Sequence, residues 1–229
     1  MVLLARHQLQ EFESGKFLCE LICLLMNEQS GESTGRVANR DLTQMNDLQL
    51  IRLITYNYFG WNNGKECCLD LLSSKNVDFL LIQEHWLFDQ QFCQLMINDD
   101  YLFTTICGMA SDAPLIGRPY GGYCIFYKES LAGCISICST GFKRVNAIVV
   151  QLVDGQLLLI ANVYFLQMMD GKVNLNDTLG EIEGLLASQQ FDYLLVAGDF
   201  NTDISHNTTF SKAFLDFADV QFGDCWLDF

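Results

Sequence analysis

The amino-acid sequence predicts an α/β fold in which helices cover mixed sheets. From Leu48 onward, short apolar runs of four to eight residues alternate with amphipathic segments. Several of these runs do not alternate apolar with polar residues, which indicates strands buried on both faces. Asp154-Gly155 separates two of the runs and is typical of a hairpin turn. Because a hairpin and helix-linked strands occur together, the pattern favours mixed sheets with helices outside.

The predicted elements follow from these runs in chain order. The predicted strands are Leu50–Tyr56, Asp78–Gln83, Tyr123–Tyr127, Ala147–Leu152, Leu157–Tyr164 and Tyr193–Ala197. The segments with helical character are Lys65–Lys75, Gln90–Asn98, Leu175–Gln189 and Thr209–Ala218.

Residues 1–47 differ in character from the rest of the chain. Apolar residues recur at helical spacing between Phe17 and Leu25, with Lys16 and Glu20 at polar positions. The segment Ser30–Asn39 is polar and contains glycine, as linkers do. We therefore predict a helical leader and polar linker over residues 1–47, followed by a domain over residues 48–229.

The acidic composition counts against a tight nucleic-acid binder. The chain carries 13 Lys and Arg residues against 28 Asp and Glu residues, which gives a net charge of −15. Affinity for the phosphate backbone comes largely from basic side chains, and no run of them forms a patch in this sequence. A phosphodiester site is still compatible with this charge, because a bound cation reverses the local potential.

Cysteine usage and hydropathy indicate an intracellular protein, nuclear or cytoplasmic. Ten cysteines are scattered without a C-x-x-C pair or a histidine at zinc-finger spacing, and several lie in apolar runs, so we expect buried, reduced thiols. The apolar stretch Phe17–Met26 is interrupted by Glu20 and lacks a preceding basic segment. It is also too short to span a membrane. The sequence does not indicate an oligomeric state.

Polar side chains follow three of the predicted strands at the point where each strand ends. Glu84 follows the second strand, Asp199 and Asn201 follow the last, and Asn57 follows the first. Ligand sites form where the strands of open α/β sheets terminate. Two carboxylates and two carboxamides suit Mg²⁺ and the phosphate that it polarises. Each residue alone is a weak signal, because a lone Asp after a strand is usually a cap or a turn former.

Four motifs in order give these residues a family context. They are QEHWL at Gln83–Leu87, GRPYGG at Gly117–Gly122, NVY at Asn162–Tyr164 and GDFNTD at Gly198–Asp203. Together they resemble the signatures of the endonuclease/exonuclease/phosphatase superfamily, and QEHW and GRPYGG are most similar to the apurinic-type endonuclease of non-LTR retrotransposons. The resemblance covers roughly residues 50–229. It implies a four-layered α/β/β/α sandwich of the DNase I-like type, with the site at one edge.

The resemblance also implies a role for each strand-end residue. Glu84 would be the principal ligand of Mg²⁺ or Mn²⁺, and Asn57 would help to orient metal and phosphate. Tyr164 would donate a hydrogen bond to the phosphate, and Asp199 would orient or deprotonate the attacking water. Asn201 would stabilise charge on the pentacoordinate phosphorus. DNA would be the substrate, an expectation that the net charge weakens.

The residues alone leave other interpretations open. Tyr164 lies in an aromatic-rich strand and is equally compatible with a core tyrosine, and Asn57 with a turn cap. His85 adjoins Glu84, but neighbouring strand-end residues point apart, so we expect His85 to be structural. Alternative functions are a non-catalytic remnant that binds a metal or a partner, and a phosphoesterase acting on a substrate other than nucleic acid.

The sequence departs from the family pattern in two places. Relatives continue to an Asp-His motif near the end of the domain, whereas this chain ends at Phe229 and contains no Asp-His pair. We therefore expect a domain incomplete at its C-terminal end, with catalysis weak or absent, because catalytic groups act as a set. Phe165-Leu166 follows Tyr164 where relatives often carry proline, which puts the shape of that loop in question.

Overall fold

The apolar runs of the sequence form the strands of two six-stranded sheets in the computed structural model. The structure describes residues 2–4, 9–12, 16–25, 49–74, 76–109, 120–139, 141–165, 175–201, 209–222 and 226–227. Within that part of the chain, no helix is both long and apolar enough to cross a membrane.

The first sheet, sheet A, combines strands from both ends of the chain with a central hairpin. Its strands are β1 (Val2–Leu4), β8 (Ile135–Ile137), β9 (Val145–Gln151), β10 (Leu157–Tyr164), β11 (Tyr193–Asp199) and β12 (Trp226–Leu227). They lie in the order β12-β1-β11-β10-β9-β8. The neighbours β10 and β11 run parallel, and β9 and β10 run antiparallel.

The second sheet, sheet B, is built from the first half of the chain. Its strands are β2 (Leu9–Phe12), β3 (Lys16–Leu25), β4 (Gln49–Asn57), β5 (Phe79–Gln83), β6 (Tyr101–Ile106) and β7 (Tyr123–Lys128). They lie in the order β2-β3-β4-β5-β7-β6. The central neighbours β4 and β5 run parallel, so their carboxyl ends meet at the same edge.

Apolar side chains of the two sheets face each other and form the central core. Leu53 and Leu81 of sheet B and Ile160 and Leu195 of sheet A are fully buried in this layer. Three helices cover the outer faces: α1 (Trp61–Ser74) on sheet B, and α2 (Leu175–Ser188) and α3 (Thr209–Phe222) on sheet A. The result is a four-layered α/β/β/α sandwich, as predicted.

Most of the elements predicted from residue 48 onward are confirmed. All six strands are present within two residues of their predicted bounds, and three of the four helical segments form α-helices. The strand β5 is buried along its whole length, which explains why its sequence does not alternate. The Asp154-Gly155 turn joins β9 and β10, with Gly155 at a φ of +86°. That conformation favours glycine.

The predicted helix in the leader is wrong. Residues Lys16–Leu25 form β3, which pairs antiparallel with β4. A short apolar run fits a buried strand as well as a helix, and its spacing alone does not separate the two. The segment Ser30–Asn39 lies outside the described residues, and the boundary between residues 47 and 48 stays a prediction.

Two further differences lie between β5 and β7. The segment predicted as helical over Gln90–Asn98 contains a 3₁₀-helix at Asp89–Leu95 rather than an α-helix. The edge strand β6 was not predicted, because its residues Leu102 and Thr104 do not form an apolar run. In the fold, Leu102 is exposed and Thr104 is buried.

Candidate active site

The inner surfaces of the two sheets change from apolar to polar towards one edge of the sandwich. Residues two positions apart on a strand share a face, so each strand carries a series from the core to this edge. The series are Leu53, Thr55 and Asn57 in β4; Ile160, Asn162 and Tyr164 in β10; and Leu195, Ala197 and Asp199 in β11. The last member of each series reaches the candidate site.

Neutral polar side chains between the core and this edge tie the two sheets together. Gln83 of sheet B donates from Nε2 to Thr55 Oγ1 at 2.9 Å and to Asn162 Oδ1 of sheet A at 2.6 Å. Asn162 donates in turn from Nδ2 to the backbone carbonyls of Ile82 at 2.9 Å and Cys124 at 3.1 Å. Because Gln83 and Asn162 are buried, these bonds satisfy groups that water does not reach.

Asn57 joins the two carboxylates of the site. Its Nδ2 donates to Asp199 Oδ2 at 2.7 Å and lies 3.3 Å from Glu84 Oε1, which also accepts. Its Oδ1 accepts the Phe59 backbone N–H at 3.1 Å, so the amide is held with its nitrogen towards the carboxylates. Glu84 and Asp199 therefore converge on one amide at the edge where β4, β10 and β11 end.

Glu84 accepts two further hydrogen bonds from aromatic side chains. The Tyr164 phenol donates to Glu84 Oε1, and Trp86 Nε1 donates to Oε2 at 3.2 Å. Burial raises the pKa of Tyr164, and the contact with Glu84 raises it further, so the phenol stays a protonated donor. Glu84 is only 8% exposed, yet neither it nor Asp199 forms an ion pair within the described part of the chain.

Asn201 lies beside Asp199 at the site. Its backbone N–H donates to Asp199 Oδ1 at 2.8 Å, and its Nδ2 donates to the Phe165 carbonyl at 2.8 Å. The side chain also hydrogen bonds the Tyr164 phenol, which lowers the pKa of that group and opposes the effect of burial. Asn201 thus fixes Asp199 and contacts Tyr164, although it is two residues past the end of β11.

Left-handed backbone conformations concentrate at this edge. Five described residues other than glycine have positive φ, and four of them are Phe59 at +49°, Glu84 at +58°, Trp86 at +56° and Asn201 at +48°. In a regular strand Glu84 would point away from the face that Gln83 occupies. The left-handed conformation of Glu84 brings its carboxylate to the site instead. Such strain persists where surrounding contacts hold it, and it clusters at functional sites.

His85 is structural, as expected. The ring is fully buried, with Nδ1 accepting the Leu87 backbone N–H at 3.0 Å and Nε2 lying 3.2 Å from the Ile106 carbonyl. These partners define a neutral ring protonated at Nε2. Burial lowers the pKa of His85 to about 4. A Cβ on Gly122 would lie 2.4 Å from the ring, so glycine is needed in this loop.

The donor set at the edge is compatible with a hard divalent cation. A carboxylate has about four acceptor positions, and the hydrogen bonds at Glu84 and Asp199 leave some of them open. Buried charges are usually paired or bound to a metal, and Glu84 is buried without an ion pair among the described residues. In the same residues, no group of three or more His, Cys, Asp and Glu side chains forms a metal cluster. Mg²⁺ needs only one or two carboxylates with water and phosphate oxygens.

The structure brings together all five residues that the strand ends and motifs predicted, namely Asn57, Glu84, Tyr164, Asp199 and Asn201. Their roles stay predictions. Sequence reasoning missed the supporting residues Gln83, Asn162 and Trp86, although each lies inside a quoted motif. Their positions could have indicated this role. Gln83 directly precedes Glu84 and Asn162 lies two residues before Tyr164, and both are polar residues within buried strands. The first half of GRPYGG, Gly117–Pro119, which includes Arg118, lies outside the described residues.

Comparison with known proteins identifies the fold. No protein-family model matches the sequence, and no curated protein is similar to it in sequence. The AP endonuclease LMAP from Leishmania major matches with a TM-score of 0.53 at 15% identity, covering 74% of this chain and 66% of that one. The catalytic domain of APE2 from Xenopus laevis matches with a TM-score of 0.50 at 14% identity, covering 72% and 67%. This chain therefore spans about two thirds of their length.

These matches define the class of the fold as a DNase I-like sandwich, in agreement with the two mixed sheets and their outer helices. The chain thus has the DNase I-like fold that the resemblance of the four motifs implied.

Proposed function

We propose that the site hydrolyses phosphodiester bonds with a divalent metal, Mg²⁺ or Mn²⁺, and that its substrate is DNA. The observation that carries this proposal is the Asn57 amide, which brings the Glu84 and Asp199 carboxylates together beside the Tyr164 phenol. Two carboxylates, an amide and a protonated phenol at the mouth of a buried polar layer supply both metal ligands and donors to a phosphate.

Each residue has a role that its contacts support. Glu84 would hold the cation, which would polarise a phosphoryl oxygen when it is bound, and Asn57 would orient the Glu84 carboxylate through its Nδ2 donor. Asp199 takes the proton of the attacking water on a carboxylate oxygen, and Asn57 and Asn201 fix the orientation of that carboxylate. The Tyr164 phenol can turn its O–H from Glu84 to a phosphoryl oxygen. Asn201 stabilises the negative charge that develops on the phosphoryl oxygens during the reaction.

The kinship with retrotransposon endonucleases rests on two motifs. QEHW and GRPYGG resemble the retrotransposon forms more closely than those of other branches. In support of a DNA substrate, the two structures with the same fold are named as an AP endonuclease and an APE2 catalytic domain. The net charge of −15 opposes strong backbone contacts, so we propose weak DNA affinity that falls steeply with salt.

Nicking of supercoiled plasmid in Mg²⁺ tests the proposal. The chain should nick slowly, and Asp199→Ala should abolish nicking. Val153→Ala, a change at an exposed turn at the opposite end of β10, should leave the rate unchanged. A folded chain that shows no nicking at any Mg²⁺ concentration would favour the alternative of a non-catalytic domain. Hydrolysis of inositol phosphates or phospholipids without plasmid nicking would favour a phosphoesterase on other substrates.

A further inference from the structure

Two exposed aromatic side chains lie at the rim of the candidate site. Among the described residues, seven large hydrophobic side chains are exposed, and Phe59 and Tyr120 are the aromatic ones, at 46% and 55% exposure. The other five are distributed over several elements and include Met96 and Val153. Both exposed aromatics are close in the fold to Glu84, as the backbone contacts of their neighbours show.

The segment that carries Phe59 runs along Glu84. Tyr58 N donates to the Gln83 carbonyl at 3.0 Å, and Gly60 N donates to the Glu84 carbonyl at 2.8 Å. Phe59 lies between these two bonds and is therefore beside the Glu84 backbone. A Cβ on Gly60 would meet the Trp86 ring at 2.5 Å, which places this segment against Trp86.

Tyr120 is also close to Trp86 in the fold. It precedes Gly121, whose carbonyl accepts the Trp86 backbone N–H at 3.0 Å. Trp86 in turn donates from its indole to Glu84. The segment ending at Gly60 and the segment beginning at Tyr120 thus both contact Trp86, next to the carboxylate.

The conformation of Phe59 is held although it is unfavourable for a bulky residue. Its φ is +49°, a value that phenylalanine rarely adopts. Two side chains fix it: Asn57 Oδ1 accepts its N–H at 3.1 Å, and Asn63 Nδ2 donates to its carbonyl at 2.7 Å. Asn57 is the residue that joins the two carboxylates. An exposed ring on a fixed backbone loses little entropy on binding, which is how a preorganised contact improves affinity.

We propose that Phe59, with Tyr120 also near Trp86, stacks on an unpaired nucleobase next to the scissile phosphate. This inference rests on the proposed function and names its substrate more closely as single-stranded or locally opened DNA, because a base within a duplex already stacks on its neighbours. Stacking contributes affinity without basic side chains. It is therefore suited to a chain with only 13 Lys and Arg residues.

Fluorescence anisotropy with a short single-stranded DNA oligonucleotide, with Ca²⁺ in place of Mg²⁺, tests this. Phe59→Asn removes the ring but tolerates the left-handed backbone, and it should weaken binding about 10-fold. Phe59→Tyr should bind like the wild type. Met96→Ala, which shortens another exposed apolar side chain, should have no effect. The wild type should bind an oligonucleotide of abasic residues about 10-fold more weakly than the normal one.

The outcomes separate this inference from the hydrolase proposal. Equal affinities of Phe59→Asn and wild type, equal affinities for the normal and abasic oligonucleotides, or no binding by the wild type would each overturn the stacking inference. If plasmid nicking persists in those cases, hydrolysis stands and only stacking is wrong. If binding depends on Phe59 but nicking is absent, stacking stands and hydrolysis is wrong.

Discussion

Asp199 Oδ2 accepts a hydrogen bond of 2.7 Å from the Asn57 amide, although 142 positions separate the two residues in the chain. Asn57 ends β4 of sheet B, and Asp199 ends β11 of sheet A. The bond therefore joins the sheets at the edge of the sandwich. It also fixes the spacing of the Asp199 and Glu84 carboxylates, because the same nitrogen donates to both.

Replacing the shared amide with a carboxylate should make stability depend on a cation. Asn57→Asp removes the Nδ2 donor and places a third negative group between Glu84 and Asp199, which should cost about 2 kcal/mol in EDTA. Urea unfolding with and without Mg²⁺ measures the effect, and Mg²⁺ should stabilise the variant more than the wild type. Asn98→Asp, which keeps the acceptor for the Asp100 backbone N–H on an exposed loop, is the control. Equal Mg²⁺ effects in the wild type and Asn57→Asp would contradict the proposed cation site.

The buried amides between the sheets should be strongly coupled. Asn162→Leu removes the hydrogen bonds to the carbonyls of Ile82 and Cys124 and leaves Gln83 Nε2 with Thr55 Oγ1 as its remaining partner, which should cost about 2–4 kcal/mol. Gln83→Leu should have a similar effect. The double variant should lose less than the sum of the two, because residues in one network do not add. Equilibrium urea unfolding of the four proteins gives the coupling, and additive losses would show that the two amides act independently.

Gly198 should not tolerate a side chain. A Cβ at this position would lie 1.9 Å from the backbone carbonyl oxygen of Val163 in the neighbouring strand. Gly198→Ala should therefore displace β11 and cost about 3 kcal/mol or more. Gly155→Ala is the matched control, because Gly155 also has positive φ but its Cβ would meet nothing within 4 Å. Thermal unfolding measures the stability that each variant loses. Gly155→Ala reports backbone strain alone, so an equal loss in Gly198→Ala would exclude the clash.

The folded chain should become less stable as the pH is lowered, because His85 is buried in its neutral form. Burial lowers the pKa of His85 to about 4 in the folded chain, whereas the unfolded value is about 6.5. The unfolded chain therefore binds more protons between these values. The contribution of the neutral His85 ring to the free energy of unfolding is fully present above pH 6.5. It is lost as the pH falls towards 4, by about 3 kcal/mol at most. Urea unfolding across this range should show a steeper loss for the wild type than for His85→Gln, and parallel curves would contradict the assignment.

The sequence predicts well those strands that a continuous run of apolar residues marks. The strands β5, β7 and β10 are buried on both faces and appear in the sequence as continuous apolar runs. The segment Lys16–Leu25 was predicted wrongly because its apolar spacing fits a strand as well as a helix, and its pairing with β4 has no local signal. The edge strand β6 is only partly buried, with an exposed Leu102 and a buried Thr104 on one face, and its pattern is correspondingly weak.

The site residues were accessible from sequence because each ends a strand or lies within two residues after one. Their contacts were not. The left-handed turn at Glu84, which brings its carboxylate onto the Gln83 face, has no signature in a residue that is not glycine. The pairing of Gln83 with Asn162 depends on how two sheets face each other, which strand patterns do not specify.

The central claim is that Glu84 binds a divalent metal ion at the edge where Asn57 and Asp199 also lie. Mn²⁺ titration followed by electron paramagnetic resonance tests it most directly, because bound and free Mn²⁺ give different signals and no catalysis is required. The wild type should bind one ion, Glu84→Gln should bind it at least about 10-fold more weakly, and Glu129→Gln, a change at an exposed position, should match the wild type. Equal binding by Glu84→Gln and the wild type, or no binding by the folded wild type, would contradict the claim.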